Sequence, residues 1–481
     1  MYYGITISPI FETMSLSRKM IEIWAASYIF SYAMKNLSEK LYKKNVNFFV
    51  PYVEDEEVFS KEKDSGIGKF PDRIIIETQT DLDDYIDRCI NDVKEELAEI
   101  VSGTIDENID NVKTFINSYI RISYIKTYKC NNPVEEISGY LNNLDYFNVP
   151  IKYNDYLQQF LVRERLFASK LKKIAGLKRF ESIAEIASRA SGIKIKDKGS
   201  ADSEDDYYAK LKSKLKEADK EFLKAYKYIA TVHADGDNLG KAVRKNSSKV
   251  SKSLFEFDKK AENILNTWGC NTVFLGGDDM LFFSPILFEK ENTVLDLIEE
   301  LRKAYEEKLK SAYGDEKPSI SFGISITYYK YPLSEALKSS RSALGKAKSK
   351  KNAICATIRK HSGQSFEFTE SFDSRAYSKF REIMGEAIGK KCIEFPKSLH
   401  HKLNDLSSVI KHSDNLDAIF ENFFNEDEHK AKFKEGLQSI KELLEIYKNE
   451  QKKNGKTFEE LFNNFFSMIS MIKLLEGREN E

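Results

Sequence analysis

Two stretches of this chain run through the same order of hydrophobic patterns, and that repetition limits its possible folds more than any other feature. The first opens with YYGITIS (2–8), a β-branched and aromatic run. Pro9 then starts a helical pattern in which Met14, Ile21, Trp24, Tyr28, Tyr32 and Leu37 recur at spacings near three, four and seven, to about Leu41. Strand-like runs follow at 46–53 and 73–78, and a helix runs from the acidic DLDD (81–84) to about Val101. The second stretch gives a strand at 228–234, a helix at 239–265 with a possible break in its Ser-rich part, and a hairpin of 272–275 and 280–283. A helix at 290–313, a strand at 320–328, a helix at 334–348 and a strand at 353–358 complete it. The shared order β-α-β-β-α predicts a ferredoxin-like sheet with helices on one face. The expected fold class is therefore α+β: ferredoxin-like domains at 1–103 and 222–368, a helical middle domain at 104–221 and a helical C-terminal domain at 369–481. The polar stretch 193–206 reads as a linker or exposed loop, and 458–475 as an amphipathic core helix.

Composition enters as an exclusion. Over 481 residues, Lys+Arg 75 against Asp+Glu 76 leaves a net charge of −1, which rules out a globally basic nucleic-acid coat and a polyacidic tail. Local patches remain open, and KAVRKNSSKVSK (241–252) is a candidate for contact with RNA. The five cysteines (Cys89, Cys130, Cys270, Cys355, Cys392) form no C-x-x-C pair, so neither zinc nor a disulfide framework is expected. No run of about 18 apolar residues predicts a membrane span. The first residues read as a strand rather than a signal peptide, and a cytoplasmic location is expected.

The chemistry concentrates in HADGDNLGK (233–241) and FLGGDDMLFF (274–283). Asp235 falls at the end of one predicted strand, and Asp278 and Asp279 at the tip of the adjacent hairpin. Neighbouring strands would bring these carboxylates together, where they repel unless a cation sits between them. Mg²⁺ suits such a place, since it takes a few carboxylates plus waters and substrate phosphates. A pair of ions could activate a 3′-hydroxyl and stabilise departing pyrophosphate. Gly236 and Gly240 allow close backbone approach, and Asp237, Asn238 and Lys241 open a helix whose amides could hold a triphosphate. Gly276 and Gly277 leave room above the hairpin for a nucleotide, and Lys241, Lys346, Lys348 and Lys351 are candidate phosphate partners. Taken alone, a GG-D-D turn is also simply a good hairpin tip.

HADGD together with GGDD resembles the palm domain of the large polymerase-cyclase subunit of type III CRISPR-Cas complexes, a relative of GGDEF cyclases and polymerase palms. Three further segments are similar to its Cmr-type (III-B) branch: SPIFETMSLSRKMIEIWAASYIFSYAM (8–34), KFPDRIIIE (69–77) and RFESIAEIA (179–187). The resemblance spans roughly 1–365 and implies two facing palms that bind two ATP molecules. On target RNA capture, the GGDD palm would join ATP into cyclic oligoadenylates. It implies Asp235, Asp278 and Asp279 as catalytic ligands of two Mg²⁺ or Mn²⁺ ions and Ser27 as a nucleotide contact from the first palm. The triphosphate lysine would come from 346–353, as Lys346 or Lys351. The implied partners are other Cmr-type subunits, guide RNA and target RNA.

Departures from the pattern carry their own expectations. Glu22 stands where the family often has Asp, and Ala26 replaces the glycine before Ser27. No His-Asp dipeptide is present, so no HD-type DNase activity is expected. Some members of the family join ATP to S-adenosylmethionine instead, and the changes near Ser27 are compatible with that co-substrate. A catalytically silent scaffold is the reading from a different class, although intact carboxylates would then be costly unpaired charges.

Overall fold

The computed structural model describes residues 1–59, 66–103, 108–145, 171–175, 181–195, 204–288, 292–314, 316–388, 395–396, 398–413, 415–423, 430–454 and 457–477. Its first sheet contains β1 (Tyr2–Ser8), β2 (Asn47–Val50), β3 (Arg73–Glu77) and β4 (Arg121–Thr127), in the order β2-β3-β1-β4 and antiparallel throughout. With α1 (Ile10–Ser15), α2 (Met20–Tyr42), α3 (Asp83–Ser102) and α4 (Ile109–Tyr119), this is a ferredoxin-like unit that closes only at residue 127. The boundary expected at 103, and the reading of 104–221 as helical, are corrected here. RISYIKT is a strand at the sheet edge, half exposed and broken by cations, so its apolar signal is weak in sequence. One face buries Trp24, Ala33, Leu37, Ile86, Val93, Phe115 and Ile116; α5 (Pro133–Asp145) covers the other through Ile137 and Leu141. Gly4 permits that cover, because a Cβ there would lie 2.1 Å from Ile137 Cγ2.

The second sheet is built from β5 (Tyr228–Asp237), β6 (Asn271–Gly276), β7 (Asp279–Pro285), β10 (Ser319–Tyr328), β11 (Ala353–Arg359) and β12 (Ser365–Ser371). A small ribbon, β8 (Leu287–Phe288) with β9 (Asn292–Thr293), lies outside it. The strand order is β12-β11-β10-β5-β7-β6, so β10-β5-β7-β6 repeats the order of the first sheet and β11 and β12 extend it. The strand β12 runs to Ser371, past the expected boundary at 368. Alternation divides the faces. Ala230, Val232 and Ala234 pack toward α8 (Leu239–Thr267) and α9 (Val294–Tyr313) through Phe257, Ala261, Leu301 and Tyr305. Ile229, Leu281 and Phe283 pack the opposite way, against α10 (Leu333–Lys350) and the first palm's Met14, Met20, Ile23 and Ala26. The long helix α8 has no break at its Ser-rich part; the side chains of 244–248, and with them the centre of the candidate RNA patch, lie outside the described residues.

Elsewhere the middle stretch adds α6 (Ile183–Ala187) and α7 (Glu204–Glu217); most of 146–180 and residues 196–203 of the expected linker lie outside the described residues. Its described residues join the palms' own cores: Leu171 and Ala175 the first, Tyr207 and Leu211 the second. The C-terminal helices α11 (Arg375–Ile388), α12 (Lys430–Asn454) and α13 (Phe458–Glu476), with three short helices over 399–423, pack on β12. Asn464 of α13 bonds both the amide and the carbonyl of Thr369, and Ser467 accepts from Glu367 N, so the exposed edge of the sheet is capped by side chains. No helix among the described residues is long and apolar enough to cross a membrane.

Candidate active site

β5 and β7 are antiparallel neighbours with Ala234 opposite Met280, which sets Asp235 beside the hairpin tip as its sequence position predicts. The amide of Gly236 donates to the Asp278 carbonyl at 3.2 Å. Gly277 turns the chain with φ +76, in the left-handed region that favours glycine. Burial, and then repulsion from Asp235, push the Asp278 carboxyl up to about 7, against the lowering field of Lys348. Asp279 reaches solvent at its tip, yet crowding by protein atoms and the charges of Asp235 and Asp278 hold it well above the usual carboxylate range.

Lysine placement differs from expectation. Lys348, read as a phosphate partner, sits 2.9 Å from Asp235 Oδ1 and also donates to the Gly236 carbonyl. Lys346 pairs with Glu367 at 2.6 Å, over a row that runs through Thr357, Ser325 and Thr231. That row is four residues from Asp235 along β5, about 13 Å, so Lys346 is not part of this site. Lys351 bonds Asn238 Oδ1 at 2.7 Å at the start of α8, where Lys241 is also exposed. Gly240 and Gly276 face open space.

Two other sequence-derived residues are corrected. Asp237 is 1% exposed and accepts from Ser319 Oγ (2.9 Å), Ser321 Oγ (2.9 Å) and Asn352 N (2.8 Å). Its carboxylate pins the end of β5 to β10 and β11 instead of facing a ligand. Ser27, 4% exposed, lies on the face of α2 between Trp24 and Ser31. Trp24 Nε1 donates to Gly66 O at 2.5 Å and Ser31 Oγ accepts from Phe70 N at 2.9 Å, so segment 66–70 covers that face. The same segment continues to β6, where Gly68 O accepts from Leu275 N at 2.9 Å, and Lys69 pairs with Glu262 of α8 at 2.9 Å.

Sequence reading missed Asp258 and Tyr305. Asp258 Oδ2 accepts the Gly277 amide at 3.0 Å while Oδ1 is buried without a partner; burial pushes its carboxyl well above the usual range. The hydroxyl of Tyr305 is also buried and unpartnered, directly beneath Gly236. An acidic residue on the apolar face that holds Leu254, Phe257 and Ala261 was the available signal for Asp258.

The donor set fits a divalent cation in kind. Hard carboxylate oxygens crowd together, and the raised proton affinity of Asp278, set first by burial and then by the Asp235 charge, is a cost that such an ion would relieve. In place it is incomplete, since among the described residues no three acidic, His or Cys side chains converge as metal ligands, and Lys348 holds the Asp235 oxygen.

Comparison with known families gives two matches. Residues 2–102 match the N-terminal domain of CRISPR-associated protein Cmr2, and residues 228–355 match the second palm domain of Cas10/Cmr2. The chain belongs to the Cas10/Cmr2 family. Each matched region falls within one ferredoxin-like unit, the first ending before β4 and the second within β11, and the second contains every carboxylate of the cluster. Among solved structures, a chain of type III-B Cmr-beta in its apo state matches with TM-score 0.56 and 12% identity, covering 88% of this chain and 76% of that one. A chain of Cmr-beta bound to cognate target RNA gives TM-score 0.56 and 12% identity, covering 99% and 83%. At this identity the likeness is one of fold. No curated protein matches the chain by sequence.

Proposed function

We propose that this member of the Cas10/Cmr2 family is an RNA-activated nucleotidyltransferase subunit of a type III-B effector complex, using ATP and Mg²⁺ or Mn²⁺ to make cyclic oligoadenylate. The carrying observation is the crowded pair of Asp235 and Asp278 at the β5 end and hairpin tip, with Asp279 beside it. A bound pair of divalent ions would supply Lewis-acid activation of a 3′-hydroxyl and neutralise the leaving pyrophosphate. Asp235, Asp278 and Asp279 would hold them. In the transfer, the 3′ oxygen of one adenosine nucleotide forms a bond to the α-phosphorus of another, the bond to pyrophosphate breaks, and the hydroxyl proton is released. Gly276 and Gly277 leave room for the incoming nucleotide, and Lys351 with the first amides of α8 faces its phosphates. Lys348 neutralises part of the carboxylate charge at Asp235 and would have to release that oxygen for Asp235 to hold an ion. The Cmr-beta neighbours, one bound to cognate target RNA, support Cmr-type subunits, guide RNA and target RNA as partners.

The test is incubation of the reconstituted complex with guide RNA, target RNA, Mg²⁺ or Mn²⁺ and ATP, with and without S-adenosylmethionine, resolved by liquid chromatography and mass spectrometry. Target-dependent rings of adenylate are expected from ATP alone. A product that requires S-adenosylmethionine would reassign the acceptor, and no product from a complex that still binds target would leave a scaffold. D278A/D279A should abolish product while the complex still assembles.

A further inference from the structure

The seam between the two palms holds a cation that the carboxylate chemistry does not use. Arg341 lies on α10 seven residues before Lys348, two turns away on the same face. Its guanidinium carbon stacks 3.8 Å over the ring centroid of Phe11 in α1 of the other palm. The side chain is exposed, and among the described residues it makes no ion pair or hydrogen bond. The adjoining Ser340 bonds His233 Nδ1 at 2.8 Å, and His233 precedes Asp235 by two residues on one face of β5, about 7 Å away. Leu281 pairs with His233, and Asp279 follows two residues toward the tip on that same face. The charge of Arg341 acts on both Asp279 and His233, and the first palm's Asp72 acts on Asp279 as well. Arg341 therefore stands exposed on the seam between α1 and α10, on the side of the sheet that carries Asp235 and Asp279.

Stacking on an aromatic face fixes the guanidinium plane and leaves its fork of N–H donors for in-plane, bidentate contact with two oxygens of an anion. The phosphates of a nucleotide at the carboxylates supply that anion at this place. We propose that Arg341 is a substrate-binding residue: its guanidinium, clamped on Phe11, grips a phosphate of the nucleotide that lies between the palms. This rests on the nucleotidyltransferase reading. One palm supplies the platform and the other the cation, so nucleotide binding depends on the seam being closed.

The test measures binding of α,β-methylene ATP and of adenosine to the reconstituted, target-bound complex by equilibrium dialysis. R341Q is expected to weaken the triphosphate analogue by about 10- to 100-fold, the worth of charge-assisted hydrogen bonds, and to leave adenosine unchanged. R341K should recover only part of the loss, and F11L, which keeps an apolar contact but removes the ring, should fall between. Equal affinity for the analogue in R341Q and the parent complex overturns the proposal. So does a parallel loss for adenosine, which would mean packing alone. Weakened target RNA binding with the analogue unaffected would assign Arg341 to an RNA phosphodiester and overturn it too. If the parent complex binds no nucleotide, the nucleotidyltransferase reading fails at that point, before any variant is compared, and the proposal fails with it.

Discussion

Asp258 reaches the hairpin tip from nineteen positions upstream and holds the Gly277 amide from below. D258A removes the acceptor of a half-buried amide and should cost about 1–3 kcal/mol, seen as a lower urea midpoint. D258N keeps an acceptor and sheds a charge that burial disfavours, so its midpoint at pH 7 should equal or exceed that of the parent; an unchanged midpoint in D258A would remove the anchoring role. His233 gives a pH dependence. Burial, helped by the Arg341 charge, lowers it from 6.5 to about 3. Between those values the unfolded chain takes up a proton that the folded chain refuses, so stability falls as pH drops through that window. H233N, which can keep a hydrogen bond to Ser340, should flatten that acid limb in urea titrations at pH 7, 5 and 4. Neither residue's role was legible in sequence. Each depends on a partner more than ten residues away, Gly277 for one and Ser340 for the other, and spacing alone does not bring those pairs together.

The hairpin, β5 and α10 are the elements sequence located best, because each carries a strong apolar period bounded by Gly, Asp or Pro. Their fit against one another was not legible, and two glycines show why. A methyl on Gly236 would lie 2.3 Å from Tyr305 Oη and 2.8 Å from Asp278 Cβ. G236A should therefore displace the carboxylates and reduce target-dependent product formation by about a hundredfold, the usual cost of misplacing reacting groups by about 1 Å. Y305F, by removing the oxygen, should restore part of it in the double variant; full activity in G236A would mean that the tip tolerates the shift. A methyl on Gly323 would lie 2.1 Å from Leu344 N and 2.3 Å from Ser340 O, both backbone atoms. G323A should lift α10 from β10 and lower stability by about 3 kcal/mol, read from the thermal midpoint. The strand β4 escaped notice for the opposite reason: every residue but Ile122 is only half-buried, and Arg121 and Ser123 on one face with Lys126 on the other dilute the period that marks a strand.

The two palms are not beads on a string. Met14, Met20, Ile23 and Ala26 of the first bury themselves against Ile229, Val273, Leu281 and Phe283 of the second, with Ile186 and Ala187 of the middle stretch between them. Separating them would expose that apolar surface, so calorimetry of the whole chain should show both palms melting in a single transition, and two resolved transitions would argue for independent domains. Sequence determined by itself what is local or periodic: the doubled β-α-β-β-α order, the GGDD hairpin, the start of α8 and the family, since each rests on residues near one another in the chain. Only the tertiary structure decided which carboxylate is buried as a structural pin (Asp237), which lysine neutralises Asp235 (Lys348 rather than a free phosphate ligand), and where the first sheet closes. It also decided that Arg341 meets Phe11. Those outcomes depend on crossovers that bring together residues 82 or more positions apart, where packing and desolvation, not spacing along the chain, select the partner.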